Sequence, residues 1–220
     1  MKITKFIKNS LIDFPRRISS VVFTNGCNWN CWYCQNNLIL NSTQDKTEEF
    51  FEFLKTRKGL VDGVVICGGE PTIHNDLPEF IKKVRELGFA IKLDTNGTNP
   101  DLLKSLIEQK LVDYVAMDIK APLSKLADIV CSKNSIQNVQ KSVEILLQNN
   151  VEYEFRSTIT PDLNTQDIEE MAKSIIGAKQ YILQQYHEPL NMLNAPKPLK
   201  IEVLQQMCEI SNKYVPTIIR

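Results

Sequence analysis

The sequence predicts a single-domain α/β fold, an open, partial TIM-type (β/α)6 barrel that takes up residues 1–220. Strand-like β-branched runs alternate with stretches of helical periodicity, which is typical of a parallel sheet covered by helices. The chain of 220 residues is also shorter than the roughly 250 residues of a closed eight-unit barrel. Six repeats therefore fit the chain better than eight.

Six segments are predicted to be strands, and they define the order of the barrel. They are 18–24, 62–67, 89–94, 112–118, 151–158 and 179–186. The tail over 214–219 is predicted to form a further short strand. Apolar residues recur at helical spacing between the strands, most regularly at Ile168, Met171 and Ala172. Asn164 is the predicted N-cap of that helix, and a last helix is expected over 199–211.

Charge and hydropathy exclude several classes of partner. Lys and Arg number 26, as do Asp and Glu, so the formal net charge is zero. A neutral chain lacks the broad positive field that attracts nucleic acid or anionic membranes, so neither partner is expected. The first residues lack a signal-peptide core, and no stretch approaches the roughly 20 apolar residues of a membrane span. We therefore expect a cytoplasmic protein, in which six cysteines indicate metal or redox chemistry rather than disulfides.

Three cysteines lie in one short segment, residues 26–34, which we call the cysteine loop. Cys27, Cys31 and Cys34 follow the first predicted strand, and Tyr33 directly precedes the third of them. Three thiolates can hold a soft metal centre but cannot complete a four-coordinate one. A [4Fe–4S] cluster normally takes four cysteines, so three would leave one iron open, as in catalytic metal sites.

Polar side chains follow the other predicted strands at the point where each strand ends. In parallel (βα) folds the carboxyl ends of the strands form the face that carries the active site. We therefore expect these residues to lie close together and to bind a ligand. They are Gly68, Gly69, Glu70, Asp94, Asn96, Asp118, Lys120, Arg156 and His187.

The residue types at these strand ends suit a zwitterion such as an amino acid. Gly68 and Gly69 lack a Cβ, so the backbone can approach a ligand closely. Asp118 and Lys120 are two residues apart and share one face of a strand. A lysine can hold a carboxylate as a point charge, while acidic groups such as Glu70 can hold an ammonium group.

The cysteine loop follows the pattern C-x-x-x-C-x-aromatic-C and resembles the signature of radical S-adenosylmethionine (radical SAM) enzymes. The string Gly68-Gly69-Glu70-Pro71 resembles the GGE motif of the same family. The resemblance implies that the three loop cysteines ligate a [4Fe–4S] cluster whose open iron takes the amino and carboxylate groups of S-adenosylmethionine (SAM). It also implies that Glu70 holds the methionine amino group and that the Tyr33 backbone lies against the adenine.

Two further strings, 93–97 and 117–122, are similar to those of glycyl-radical-enzyme activases. The resemblance implies that four of the strand-end residues line the SAM site, namely Asp94, Asp118, Lys120 and His187. Several activases hold a monovalent cation with groups equivalent to four positions of this chain. These are Asp94, Thr95, Met117 and Asp118.

The opening string Ser10–Pro15 is most like the short activators of anaerobic ribonucleoside-triphosphate reductase, which are similar to pyruvate formate-lyase activating enzymes. The resemblance implies an electron donor such as reduced flavodoxin or ferredoxin, cleavage of SAM to a 5′-deoxyadenosyl radical, and a glycyl radical on a large partner enzyme. Arg16 and Gln35 depart from the glycine and histidine that are common at these positions.

Two other functions and several structural roles stay open at this point. One function is a small-molecule radical SAM reaction like that of 7-carboxy-7-deazaguanine synthase. The other is a zinc-binding interaction module in which His74 or Cys67 supplies a fourth ligand. Glu70 alone could simply cap a helix, and the Asp118–Lys120 pair and Arg156 could form structural ion pairs. Cys67 and Cys208 are otherwise expected in the core, and nothing assigns a role to Cys131.

Overall fold

The computed structural model describes residues 1–133, 136–189 and 192–220, and in them one eight-stranded sheet runs in sequence order. Strands β2 to β8 are parallel, and β1 pairs with β2 in the antiparallel direction. The strands are β1 (Ile3–Ser10), β2 (Ser19–Thr24), β3 (Gly63–Gly68), β4 (Ala90–Thr95), β5 (Tyr114–Asp118), β6 (Glu152–Ile159), β7 (Tyr181–Gln185) and β8 (Thr217–Ile219).

Eight helices connect the strands within the described ranges. They are α1 (Asn37–Leu40), α2 (Thr47–Lys55), α3 (Leu77–Glu86), α4 (Pro100–Glu108), α5 (Leu123–Ile129), α6 (Ile136–Leu147), α7 (Thr165–Ser174) and α8 (Ile201–Ser211). No helix in these ranges is long and apolar enough to cross a membrane.

The predicted open α/β barrel is confirmed, and the six predicted strands correspond to β2 to β7. The predicted tail strand is β8, and the last helix begins at Ile201 rather than at residue 199. Strand β1 has no counterpart among the predicted strands. It lies at the edge of the sheet and most of its residues are partly or fully exposed, so no buried alternating pattern marks it.

Two apolar layers stabilise the sheet. The larger layer lies between the sheet and its helices and includes Phe50, Ile66 and Leu93. The smaller layer groups Phe14, from the connection between β1 and β2, with Val65 and other side chains of the opposite face. Side chains two apart on a strand share a face, so this smaller layer lies on the same side of the sheet as the residues at the strand ends.

Helix α7 begins at the predicted N-cap. The side chain of Asn164 accepts hydrogen bonds from the backbone N–H groups of Gln166 and Asp167, at 2.9 and 3.0 Å. The Asp167 carboxylate accepts in return from the Asn164 backbone N–H at 2.8 Å. This reciprocal capping box satisfies N–H groups that have no partner inside the helix.

Replacement of the N-cap, Asn164→Ala, is expected to lower the free energy of unfolding by about 1 kcal/mol, because helix N–H groups lose their acceptor. The corresponding fall in Tm is roughly 2–4 °C for a chain of this size. Thermal unfolding followed by circular dichroism measures both. Asn150→Ala, in an exposed turn, is the matched control and should leave Tm unchanged. Equal Tm values for the two variants would contradict the capping role.

Candidate functional site

One pocket of about 370 Å³ lies at the carboxyl ends of strands β2 to β7. Every candidate site residue predicted from the sequence lines it. These residues are Cys27, Cys31, Tyr33, Cys34, Gly68, Gly69, Glu70, Asp94, Asn96, Asp118, Lys120, Arg156 and His187. Residues scattered over the sequence therefore converge in space, as the parallel strand order predicts.

The cysteine loop crosses the pocket between β2 and α1, and backbone hydrogen bonds hold its start. The Gly26 N–H donates to the Leu40 carbonyl, and the Glu70 N–H donates to the Gly26 carbonyl, both at 2.9 Å. Past the third cysteine, the Gln35 side chain donates to the His187 carbonyl at 2.6 Å. The loop is therefore attached to both β3 and the segment after β7, on opposite sides of the pocket.

The three loop thiols are free and partly buried. Burial raises the pKa of Cys27 to about 11, although the Trp29 N–H donates to its sulfur at 3.4 Å. Burial also raises the pKa of Cys31. At Cys27 and Cys31 burial therefore favours the thiol over the thiolate that ligates metals, although the positive charge of Lys120 opposes this rise in pKa.

The number and type of these donors fit a soft metal centre with one open position. Within residues 1–133, 136–189 and 192–220, no group of three or more His, Cys, Asp or Glu side chains is arranged to hold a metal ion. Ligation by the loop cysteines therefore requires their side chains to turn towards one point.

Gly68 and Gly69 allow the end of β3 to contact the backbone of β2 and of the cysteine loop. Their lack of a Cβ therefore serves packing within the protein as well as access for a ligand. A Cβ on Gly69 would lie 1.6 Å from the Gly26 carbonyl oxygen. Gly68 has a φ of +116°, and a Cβ there would lie 2.3 Å from the Thr24 backbone nitrogen. The missing side chains are thus required by the packing of the end of β3 against β2 and the cysteine loop.

Glu70 is 1% exposed, and its carboxylate is bound by neighbouring groups. One oxygen accepts from the Thr72 N–H at 3.0 Å and from the Thr95 hydroxyl at 2.7 Å. The other accepts from the Asn96 N–H at 2.7 Å. Glu70 therefore caps a short 3₁₀ helix, Pro71–Ile73. Burial raises the pKa of the Glu70 carboxyl, although the hydrogen bonds that it accepts oppose this rise. The side chain also ties the end of β3 to the end of β4.

Five charged side chains form the floor of the pocket. Arg156 bridges two carboxylates, with 2.9 Å to Asp94 and 3.1 Å to Asp118. The Lys120 ammonium lies 3.1 Å from the second carboxylate, and the buried Lys92 donates to the first. The structural ion pairs considered for Lys120 and Arg156 are therefore formed, and they lie in the pocket wall.

Neighbouring charges stabilise the ionised forms of Asp118 and Lys120. Burial opposes the charge on Asp118, but Lys120 and Arg156 lower the pKa of its carboxyl below the usual value. Burial likewise opposes the charge on Lys120, but the nearby Asp118 carboxylate raises the pKa of the ammonium. The network thus pairs two carboxylates with three cations, of which Lys120 and Arg156 line the pocket.

This charge balance gives no support to a monovalent cation. The carboxylates of Asp94 and Asp118, which the family resemblance offers to such an ion, already accept hydrogen bonds from Arg156. Met117 is fully buried beneath them. A further cation at this position would lie beside three positive side chains.

Asn96, Tyr33 and His187 lie in different parts of the pocket wall. The Asn96 amide donates to the Asn28 side chain at 2.9 Å, so it is held within the protein. The Tyr33 hydroxyl is buried and has no hydrogen-bond partner among the described residues, and the Lys120 ammonium lies 5.8 Å from its ring centre. His187 is exposed at the mouth.

Several lining residues were not anticipated. Cys67 packs against the smaller apolar layer and also lines the pocket. Thr158 also lines it, and the two-residue spacing from Arg156 is the signal that places it on the same face. His74 does not lie in the pocket wall, and its ring nitrogen contacts the Asn25 carbonyl at 2.8 Å. His74 is therefore poorly placed as a fourth zinc ligand.

Residues 21–175 match the sequence model of the Radical SAM superfamily. The chain belongs to the radical SAM superfamily. Two relatives from Methanocaldococcus jannaschii are both named "putative glycyl-radical enzyme activating enzyme". The first is 34% identical, with 96% of this chain and 91% of the relative covered. The second is 28% identical, with 90% and 78% covered.

Among solved structures, SuiB of Streptococcus suis bound to S-adenosylmethionine has a similar fold, with a TM-score of 0.69 and 17% identity. The match covers 91% of this chain and 49% of SuiB, so the chain spans about half the length of that protein. At this identity the likeness concerns the fold alone.

Membership of the superfamily has a direct chemical meaning for this chain. It implies a [4Fe–4S] cluster and SAM as cofactors, so the protein is a radical SAM enzyme. A zinc-binding interaction module does not account for the match over residues 21–175. The extent of the domain, over all of residues 1–220, stays a prediction.

The variant Gly69→Ala is expected to lower the free energy of unfolding by about 3 kcal/mol, because its Cβ overlaps the Gly26 carbonyl. It should also increase alkylation of the cysteine-loop thiols by iodoacetamide, as the loop is pushed away. In the control Gly88→Ala the backbone is strained but the space is open, so only about 1–2 kcal/mol should be lost. Unchanged loop alkylation in Gly69→Ala would contradict the contact.

The variant Arg156→Met is expected to lower the free energy of unfolding by about 2–3 kcal/mol, because two half-buried carboxylates lose their common partner. Urea denaturation measures the change. The control Lys104→Met breaks an exposed pair with Glu108 and should cost at most about 1 kcal/mol. A loss of similar size in both variants would show that the network contributes little.

Proposed function

We propose that this chain is a glycyl-radical-enzyme activase. It binds SAM and a [4Fe–4S] cluster in the pocket and installs a glycyl radical on a partner enzyme. The observation that carries this proposal is the 34% identity to a protein with that name over 96% of the chain. The gathering of three free thiols and a charged floor in one pocket supports it.

The cysteine loop is assigned to the cluster. Cys27, Cys31 and Cys34 would ligate three of its irons and leave one iron for the substrate. When bound, the cluster supplies the electron that cleaves SAM to methionine and a 5′-deoxyadenosyl radical. The protein positions the reactants and shields them from water, since the cofactor carries the difficult chemistry.

The charged groups of the pocket are assigned to the methionine part of SAM. Lys120 and Arg156 are cationic side chains that line the pocket, and they would face the carboxylate. Glu70 and the neighbouring backbone at Gly69 would face the amino group. Asp94 and Asp118 keep the two cationic side chains in place, because their carboxylates hold both ends of the guanidinium.

The adenosine part of SAM is assigned to the walls near the mouth. Tyr33 would present its backbone to the adenine, as the family resemblance implies. His187 and Asn96 line the same pocket, His187 at its exposed mouth and Asn96 at the end of β4.

The partner is proposed to be a large glycyl radical enzyme. The opening string Ser10–Pro15 favours an anaerobic ribonucleoside-triphosphate reductase. Reduced flavodoxin or ferredoxin would be the electron donor. The pocket reaches solvent at His187 and Gln35, where a glycine-bearing loop of a partner can enter. The proposal places the protein in the cytoplasm.

An anaerobic assay tests this function. The protein is reconstituted with iron and sulfide, and SAM and dithionite are added with an anaerobic ribonucleotide reductase. Formation of 5′-deoxyadenosine together with a glycyl radical doublet in electron paramagnetic resonance is the expected result. Cleavage without the doublet would move the substrate to a small molecule, such as a pterin that undergoes ring contraction. Bound zinc without sulfide, and no cleavage, would overturn the proposal.

The variant Cys31→Ala is expected to lose the cluster and all SAM cleavage while remaining folded, because two thiolates cannot replace three ligands. Iron and sulfide content, 5′-deoxyadenosine formation and circular dichroism measure these properties. Cys131→Ala is the matched control, since Cys131 is exposed and does not line the pocket. Its cluster content should equal that of the unaltered protein. Retained cleavage in Cys31→Ala would remove that residue from the ligand set.

A further inference from the structure

A closed ring of side-chain hydrogen bonds joins the cysteine loop to the turn between β4 and α4. The Asn28 amide N–H donates to the Thr98 hydroxyl at 2.8 Å, and that hydroxyl donates to the Asn96 amide oxygen at 2.6 Å. The Asn96 amide N–H completes the ring by donating to the Asn28 amide oxygen at 2.9 Å. Each donor thus meets an acceptor, and turning over either amide would break two bonds.

The ring lies in a largely buried part of the molecule. Asn96 and Thr98 are each 4% exposed and Asn28 is half-buried, so the bond between Asn96 and Thr98 is the one most shielded from water. Helix α6 supports the turn, because Asn138 donates to the Thr98 carbonyl at 3.0 Å and Ser142 donates to the Gly97 carbonyl at 2.7 Å. A buried network in which every member is satisfied holds its groups in one arrangement.

The ring lies directly beside the first loop thiol. Asn28 follows Cys27 in sequence, and its amide oxygen lies 4.0 Å from the Cys27 sulfur. On its other side, the Asn96 backbone N–H donates to Glu70 at 2.7 Å. The ring therefore connects the thiol end of the pocket to the Glu70 end through a continuous set of hydrogen bonds.

We propose that Asn28 is a positioning residue, which acts with Asn96 and Thr98 to hold the backbone of Cys27 at a fixed place above the pocket, from which its side chain can turn. This positioning role rests on the proposed function, because a Cys27 held in place pre-organises the cysteine loop for binding of the cluster. Metal sites generally depend on such surrounding contacts for the orientation of their ligands. The geometry of the ring itself belongs to the protein without any metal.

The test uses the metal-free full chain and measures the rate at which iodoacetamide alkylates Cys27, by peptide mass spectrometry. Asn28→Asp keeps the shape of the side chain but loses its donor, and Thr98→Val keeps the volume but loses the hydroxyl. Thr98→Val should speed alkylation of Cys27 by roughly tenfold, the effect of losing one or two hydrogen bonds. Asn28→Asp should speed it by less, because its carboxylate beside the thiol disfavours the reactive thiolate. The rate at Cys131, which is exposed and remote from the ring, should not change.

Two control variants separate positioning from general damage to the fold. Asn30→Asp makes the same chemical change at an exposed residue of the same loop that takes no part in the ring, and it should keep the original rate. Thr98→Ser restores a hydroxyl and should return the rate to that of the unaltered protein. If Thr98→Val fails to fold, Asn28→Asp and Thr98→Ser still decide the outcome. Equal Cys27 rates in Asn28→Asp, Asn30→Asp and the unaltered protein would overturn the proposal.

Reconstitution with iron and sulfide provides the second readout. Asn28→Asp should bind less iron and sulfide per chain than Asn30→Asp under equal conditions, with both variants showing the same Tm. If the unaltered protein binds no cluster, the proposed function fails while the alkylation result still tests the ring. Faster alkylation with full cluster content would show that Asn28 shields Cys27 without positioning it, and would overturn the proposal.

Discussion

The contact between two backbone segments, the start of the cysteine loop and the end of β3, is the constraint on which the pocket depends. The Glu70 N–H donates to the Gly26 carbonyl, and Gly69 leaves no Cβ to overlap the same oxygen. Main-chain atoms have no rotamers to change, so the loop sits at a defined height above the sheet. All other features of the site are arranged around a loop placed in this way.

The charged side chains at the floor of the pocket are subject to a second constraint, the free-energy cost of removing ions from water. A buried charge is tolerated only when it is paired and hydrogen-bonded. Arg156 meets this condition because its planar fork reaches two carboxylates at once, one on β4 and one on β5. The same pairing joins the ends of three neighbouring strands, so the network stabilises the barrel at the floor of the pocket.

Structural and ligand-binding roles coincide at several positions of this site. Glu70 caps a turn and joins β3 to β4, and it also lines the pocket. Asn96 belongs to the hydrogen-bonded ring, and it too lines the pocket. Loss of activity on replacing either residue would therefore combine two causes. Readouts on the metal-free protein separate these causes, because they report the scaffold alone.

The sequence by itself determined the order of strands β2 to β8 and which of their end residues gather at the pocket, but it did not indicate β1. Buried β-branched runs mark β2 to β7, and parallel strands bring polar ends such as Asp118 and Arg156 to one edge. Only the tertiary structure decided the partners, since Asn28 meets Thr98 across 70 positions and Arg156 meets Asp94 across 62. Periodicity specifies which face a side chain occupies. Hydrogen bonds depend on distances and angles that exist only after the sheet and its loops have packed together.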